Sequence, residues 1–161
     1  MTRGWVPQVG GDESTDEHRS TLMREEMRAE EKRDSPPQGG IFPEQELTGK
    51  ILGAVFAVHN DLGAGFLEKV YSNALAVELG QTGISCEREV PFKVKFGNIV
   101  VGDYCADIVV EKRVLVELKA CAGLDSVHEA QILNYLKASG IRLGLLMNFG
   151  QPKLQYRRFV V

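Results

Sequence analysis

Val114-Leu115-Val116-Glu117-Leu118-Lys119-Ala120 is the stretch on which the reading of this chain turns, together with Asp107, ten residues before Glu117. Two acids and a lysine stand in the most apolar part of the sequence, where burying charge is costly. Such a cost persists where a metal ion or a reaction needs the charge. Branched and aromatic residues dominate on both sides of Glu111-Lys112-Arg113, so residues 99–110 and 114–120 read as the two strands of an antiparallel hairpin.

On such a strand Glu117 and Lys119 project from one face with Leu115, while Val114, Val116 and Leu118 face the other way, into the core. A loop at 111–113 sets Val110 against Val114 and, continued along the ladder, Asp107 against Glu117, with Cβ atoms roughly 5 Å apart. The same register gathers Ala106, Ile108 and Val110 on the apolar face. A slip of one residue would turn all of them over.

Adjacent carboxylates repel unless a cation lies between them. Magnesium suits such a pair, because it takes oxygen ligands, keeps several waters and often uses one or two carboxylates plus a substrate phosphate; manganese is its alternative. Lys119 is then placed to orient a water nucleophile or to stabilise charge developing on phosphorus. This is the outline of a metal-dependent phosphodiesterase. The plain alternative is a cross-strand ion pair of Lys119 with Asp107 or Glu117 on a solvated face.

Outward from the hairpin, Ser126-Val127-His128-Glu129 fits a capping box, and Gly140 fits the residue just past a helix C-terminus. Residues 142–149 and 154–161 read as two closing strands turned by Gly150-Gln151-Pro152. On the N-terminal side, Leu47, Ile51, Leu52, Val55, Phe56 and Leu62 recur at helical spacing, with Gly63 as the stop. A second helix is expected over about 67–79, with Leu67, Val70, Ala74, Leu75 and Val77 on its apolar side. Residues 84–96 alternate and contain Pro91, which suggests an edge strand. The order helix, helix, strands, helix, strands predicts an α/β domain around a mixed sheet.

Residues 1–40 carry six Lys/Arg and nine Asp/Glu, so they account for the whole net charge of −3. They are rich in Gly, Pro and Ser and lack an apolar stripe, which predicts a disordered or weakly helical charged tail before a domain over 41–161. A charge-balanced domain has no broad basic field for duplex nucleic acid. Nucleic-acid contact would fall to local clusters such as Arg88/Lys93/Lys95 or Lys153/Arg157/Arg158. No apolar run is long enough to span a bilayer, and a soluble, cytoplasmic protein is expected. Cys86, Cys105 and Cys121 are odd in number and far apart, which argues against disulfides and structural zinc and for reduced, mostly buried thiols.

Asp107 followed by Glu117-x-Lys119 on a hairpin, with a helix after it, resembles the PD-(D/E)XK nuclease superfamily. Gly65-Phe66-Leu67-Glu68-Lys69-Val70-Tyr71 further resembles the motif that names the GxxExxY protein family. So do Glu46-Leu47-Thr48-Gly49-Lys50, Tyr104-x-Ala106-Asp107, His128-Glu129-Ala130-Gln131-x-x-Asn134-Tyr135-Leu136 and Gly144-Leu145-Leu146-x-Asn148-Phe149-Gly150. The resemblance covers about residues 44–161. It implies a restriction-endonuclease-like core, a mixed β-sheet flanked by helices. By the superfamily pattern, Asp107 and Glu117 would be metal ligands, Lys119 the catalytic lysine and Glu68 the helical acid. Gln131 and Tyr135 would match a Q-x-x-x-Y element on one helix face, with Tyr71 as a further residue near the site. Cys105 stands where the family would have Arg, which removes one phosphate contact.

The expected activity is magnesium-dependent hydrolysis of phosphodiester bonds in DNA or RNA. The expected partners are nucleic acid and, to compensate for the neutral surface, a second copy or another protein. The alternative function is a nuclease-fold module that binds or assembles without catalysis.

Overall fold

The hairpin leading to Lys119 pairs as its loop length demands. In the computed structural model, which describes residues 44–161, β2 (Ile99–Val110) and β3 (Val114–Lys119) are antiparallel, with Ile108 opposite Val116, Val109 opposite Leu115 and Val110 opposite Val114. Glu111 and Lys112 both adopt left-handed backbone, as a tight hairpin requires. The charged tail expected over 1–40 lies outside the described residues.

β1 (Cys86–Phe96) pairs with the outer side of β2 and is an edge strand, consistent with Pro91 inside it. β4 (Leu143–Asn148) runs parallel to β3, and β5 (Gln155–Val160) closes the far edge antiparallel to β4. The five strands follow sequence order, and the one parallel step, from β3 to β4, is crossed by a helix. The mixed sheet is flanked by α1 (Gln45–Leu62), α2 (Glu68–Gln81) and α3 (Ser126–Ser139). This is an α/β fold consistent with a restriction-endonuclease-like core. No helix among the described residues is long and apolar enough to cross a membrane.

β3 is central and covered on both sides: Val114 to Leu118 are all buried. Leu115 belongs to an apolar cluster with Val109, Leu146, and Ile132, Tyr135 and Leu136 of α3. The face that Leu115 shares with Glu117, which the plain ion-pair alternative takes as solvated, is roofed by α3 over its first half. The cysteines also differ from expectation: all three are free, but Cys105 is exposed and Cys86 and Cys121 are half-buried.

Two helix details depart from the sequence pattern. α2 buries Tyr71, Ser72, Leu75 and Leu79, a row at three- and four-residue spacing, while Leu67 and Val77 are exposed. The expected apolar side is thus rotated away from the one that packs. The anchor is Tyr71, fully buried and stacked on Phe149 with ring centroids 4.5 Å apart. The cap of α3 is Asp125 rather than Ser126. Its Oδ1 accepts from the Val127 and His128 N–H groups, and His128 Nδ1 receives the Asp125 N–H, completing the box one residue early.

Candidate active site

The site begins where β2 and β3 part company. Their ladder ends at Ile108–Val116, and beyond it the Asp107 carboxylate takes the place of main chain: Oδ2 accepts the Leu118 N–H at 2.7 Å. Continuing the register by one step sets Asp107 opposite Glu117. The substitution of side chain for backbone pins Asp107 beside the strand end and satisfies a donor that the diverging strands would otherwise orphan.

Glu117 is only 2 % exposed. Its Oε1 accepts from Lys119 Nζ at 3.0 Å, whereas Oε2 is buried with no hydrogen-bond partner. Burial pushes the Glu117 carboxyl up to about 7, and the Asp107 charge adds to it against the pull of Lys119 and of the Asp107 main-chain N–H. Burial likewise raises Asp107. The Leu118 N–H and Lys119 oppose that rise, while Glu68 and Glu89 reinforce it. For Lys119, burial acts to lower the ammonium, but Glu117, Glu68 and Asp107 outweigh it and the net direction is up. The group is therefore a carboxylate cluster short of positive charge, in which Lys119 stays protonated.

Glu68, the first residue of α2, is exposed and reaches the strand end from outside: its Oε1 accepts the Ala120 N–H at 3.3 Å. Gln131 and Tyr135 are four apart on α3, and Gln131 Nε2 donates to the Tyr135 hydroxyl at 2.9 Å. Tyr135 lies against Tyr104, with ring centroids 5.1 Å apart. Burial raises its phenol, Gln131 offsets part of that, and the charge of Glu117 raises it further. The structure thus brings Asp107, Glu117, Lys119 and Glu68 to the end of β3, with Tyr135 and its partner Gln131 alongside.

Tyr71 is placed elsewhere. Its hydroxyl donates to the Gly63 carbonyl at 2.7 Å and accepts the Phe66 N–H at 3.1 Å, which braces the turn between α1 and α2.

Two features were missed in the sequence. Asn148, fully buried at the end of β4, accepts the Cys121 N–H with Oδ1 and donates from Nδ2 to the Cys121 carbonyl, both at 3.0 Å. Together with the Phe149 N–H donating to the Lys119 carbonyl at 2.7 Å, it fastens the chain directly after Lys119. Its signal was a lone amide ending the apolar run Leu143–Met147. The second is Glu89 on β1, whose charge acts on Asp107 and which no spacing pattern marked.

The orphaned, buried Oε2 of Glu117 beside Asp107 is what a hard cation would satisfy, and an all-oxygen donor set suits magnesium or manganese. Among the described residues no group of three or more His, Cys, Asp and Glu side chains converges closely enough to hold an ion unaided. Water and a substrate phosphate would have to supply the remaining ligands.

No curated protein matches the chain. Among solved structures, the crystal structure of SSO0001 aligns with a TM-score of 0.46 at 21% identity, over 73% of this chain and 58% of that one. This chain therefore spans less than two thirds of that chain's length. Residues 45–159 match the family model of the PD-(D/E)XK nuclease superfamily, whose nucleases typically use divalent metals. That match takes in every element from α1 to β5, and the chain belongs to the PD-(D/E)XK nuclease superfamily.

Proposed function

We propose that the domain over 41–161 is a magnesium-dependent nuclease of the GxxExxY type that hydrolyses phosphodiester bonds in DNA or RNA. The observation that carries this reading is the buried Glu117 carboxylate, half bound to Lys119 and half without a partner, next to a second acid whose charge repels it. Asp107 and Glu117 would hold the cation, with Glu68 supporting it directly or through water. A bound magnesium would offset the charge of these acids and would supply Lewis-acid activation of water and of the scissile phosphate. Lys119, held by Glu117, directs the attacking water and meets negative charge growing on phosphorus. Gln131 and Tyr135 shape the wall that faces substrate. A second copy or a protein partner extends the nucleic-acid contact that the charge-balanced domain does not provide by itself.

The second reading, a fold retained for binding or assembly without catalysis, is favoured by the lack of a preformed three-ligand group among the described residues. The test is cleavage of single-stranded, duplex and structured nucleic acids with magnesium or manganese, with Asp107→Ala run beside the wild type. Metal-dependent cleavage that disappears in the variant supports the nuclease. Absence of cleavage together with absence of metal-induced stabilisation supports the module.

A further inference from the structure

Glu89 lies inside β1 with φ 52°, left-handed backbone that a side chain adopts at a cost. Of the four non-glycine residues with positive φ among those described, Glu111 and Lys112 form the hairpin turn and Glu44 precedes α1; Glu89 alone interrupts a strand. The β1–β2 ladder pairs Arg88 with Ile108 and Val90 with Ala106, and omits the pair between them, Glu89 with Asp107. The kink turns consecutive residues to the same side: Arg88 reaches Asn73 of α2, and Glu89 reaches Lys69 of α2 at 3.8 Å. Across the same row β2 changes face as well, since Ala106 and Val109 share one apolar cluster where a regular strand would separate them.

The two ladders that flank β2 therefore both break at Asp107, and Glu89, Asp107 and Glu117 fall in one cross-strand row. Glu117 ends that row with a buried oxygen that has no partner, which is an independent sign of a missing ligand. The Lys69–Glu89 pair does not explain the strained backbone. Both side chains are more than two thirds exposed, and such a pair contributes little.

Resting on the nuclease reading above, we propose that Glu89 is a further carboxylate of the divalent-cation site, delivered to it by the kink in β1. Lys69 occupies this carboxylate in the cation-free protein and releases it when the cation arrives. Four acids, Glu68, Glu89, Asp107 and Glu117, then face two ammonium groups, Lys69 and Lys119, and the excess negative charge is that of one divalent ion.

The test is binding of manganese alone to the full chain, followed by calorimetry or by loss of the free-ion spin-resonance signal. Wild type binds; Asp107→Asn does not. Glu89→Gln, which keeps size and removes charge, weakens binding roughly ten-fold. Lys69→Met, which removes the competitor, leaves affinity equal to or tighter than wild type. Glu89→Gly separates backbone from carboxylate: thermal unfolding moves up as the strain is relieved, and affinity falls as in Glu89→Gln. Wild-type affinity in Glu89→Gln, with Asp107→Asn still defective, overturns this proposal and leaves the nuclease reading standing. No manganese binding by the wild type overturns both.

Discussion

Lys119 donates to one oxygen of Glu117 at 3.0 Å, and the other oxygen of that carboxylate has no partner among the described residues. Burial first, and the neighbouring Asp107 charge after it, favour the neutral acid and push Glu117 up to about 7. The pair is therefore not a self-sufficient salt bridge. It is a fragment that becomes complete when another positive charge enters.

The metal-free protein should lose stability as pH rises through the window from about 4.5 to about 7. Between those values the folded Glu117 still holds a proton that the unfolded chain has released, so each step upward in pH favours unfolding. Asp107, also raised, contributes in the same direction. The total from Glu117 is on the order of 3 kcal/mol, fully present below about pH 4.5 and gone above about pH 7. Denaturant unfolding in chelator at stepped pH measures it. Glu117→Gln should flatten the profile, and magnesium at neutral pH should restore stability to the wild type. Stability that rises across this window would mean that the carboxylate is better satisfied than its geometry indicates.

Lys119→Met tests the other half of the pair. At pH 8 it removes the charge that favours ionised Glu117, so the acid must take up a proton or stay unpaired in the interior, which should cost up to about 3 kcal/mol of stability. At pH 5, where Glu117 is protonated, the loss should be much smaller. Cleavage should fall by roughly a hundred-fold or more at every pH, because the charge facing phosphorus is gone. An activity loss that merely followed the folded fraction would assign Lys119 a structural role.

Much of this arrangement was legible in the sequence because it obeys period and register. The alternation in 108–116 and the charged loop at 111–113 allow one pairing of β2 with β3, and the observed pairs follow it, whereas Ala106, expected beside Ile108 and Val110, joins Val109 and Leu115 because the strand changes face at Asp107. The row Leu47, Ile51, Leu52, Val55 and Phe56 likewise marks the buried side of α1. α2 was misjudged because Leu67, Val70 and Val77 count as apolar whether or not anything covers them. The face that packs is chosen by Tyr71, whose hydroxyl needs the Gly63–Phe66 turn. The kink at Glu89 left no trace, because left-handed backbone is signalled by glycine and no glycine is there. Asn148 works through main chain 27 residues away, a contact that only the parallel β3–β4 pairing creates.

Tyr71→Phe separates scaffold from site. The ring and its stack on Phe149 survive, while the bonds to Gly63 and Phe66 are lost. A cost of about 1–2 kcal/mol in stability is expected. Cleavage per folded molecule should stay within about two-fold of wild type, against the hundred-fold loss at Lys119. A comparable loss in the Phe variant would place Tyr71 in the chemistry despite its position.

Gly150 and Gly144 make the last comparison, because a methyl group meets different obstacles at each. At Gly144 an added Cβ would lie 2.9 to 3.1 Å from side-chain atoms of Ile132 and Leu136, both fully buried but able to shift further than main chain can. At Gly150 it would lie 2.4 Å from both the main-chain nitrogen and oxygen of Cys121. Those atoms are held by Asn148 and cannot yield without moving the segment that follows Lys119. Gly144→Ala should therefore cost about 1 kcal/mol and leave cleavage intact, whereas Gly150→Ala should cost about 3 kcal/mol. In the folded fraction of Gly150→Ala, cleavage should also fall, because the Phe149 N–H that holds the Lys119 carbonyl sits beside the clash. Unfolding midpoints and cleavage rates of the two variants, measured together, decide the matter. Equal penalties would mean that the fastening after Lys119 does not govern the site.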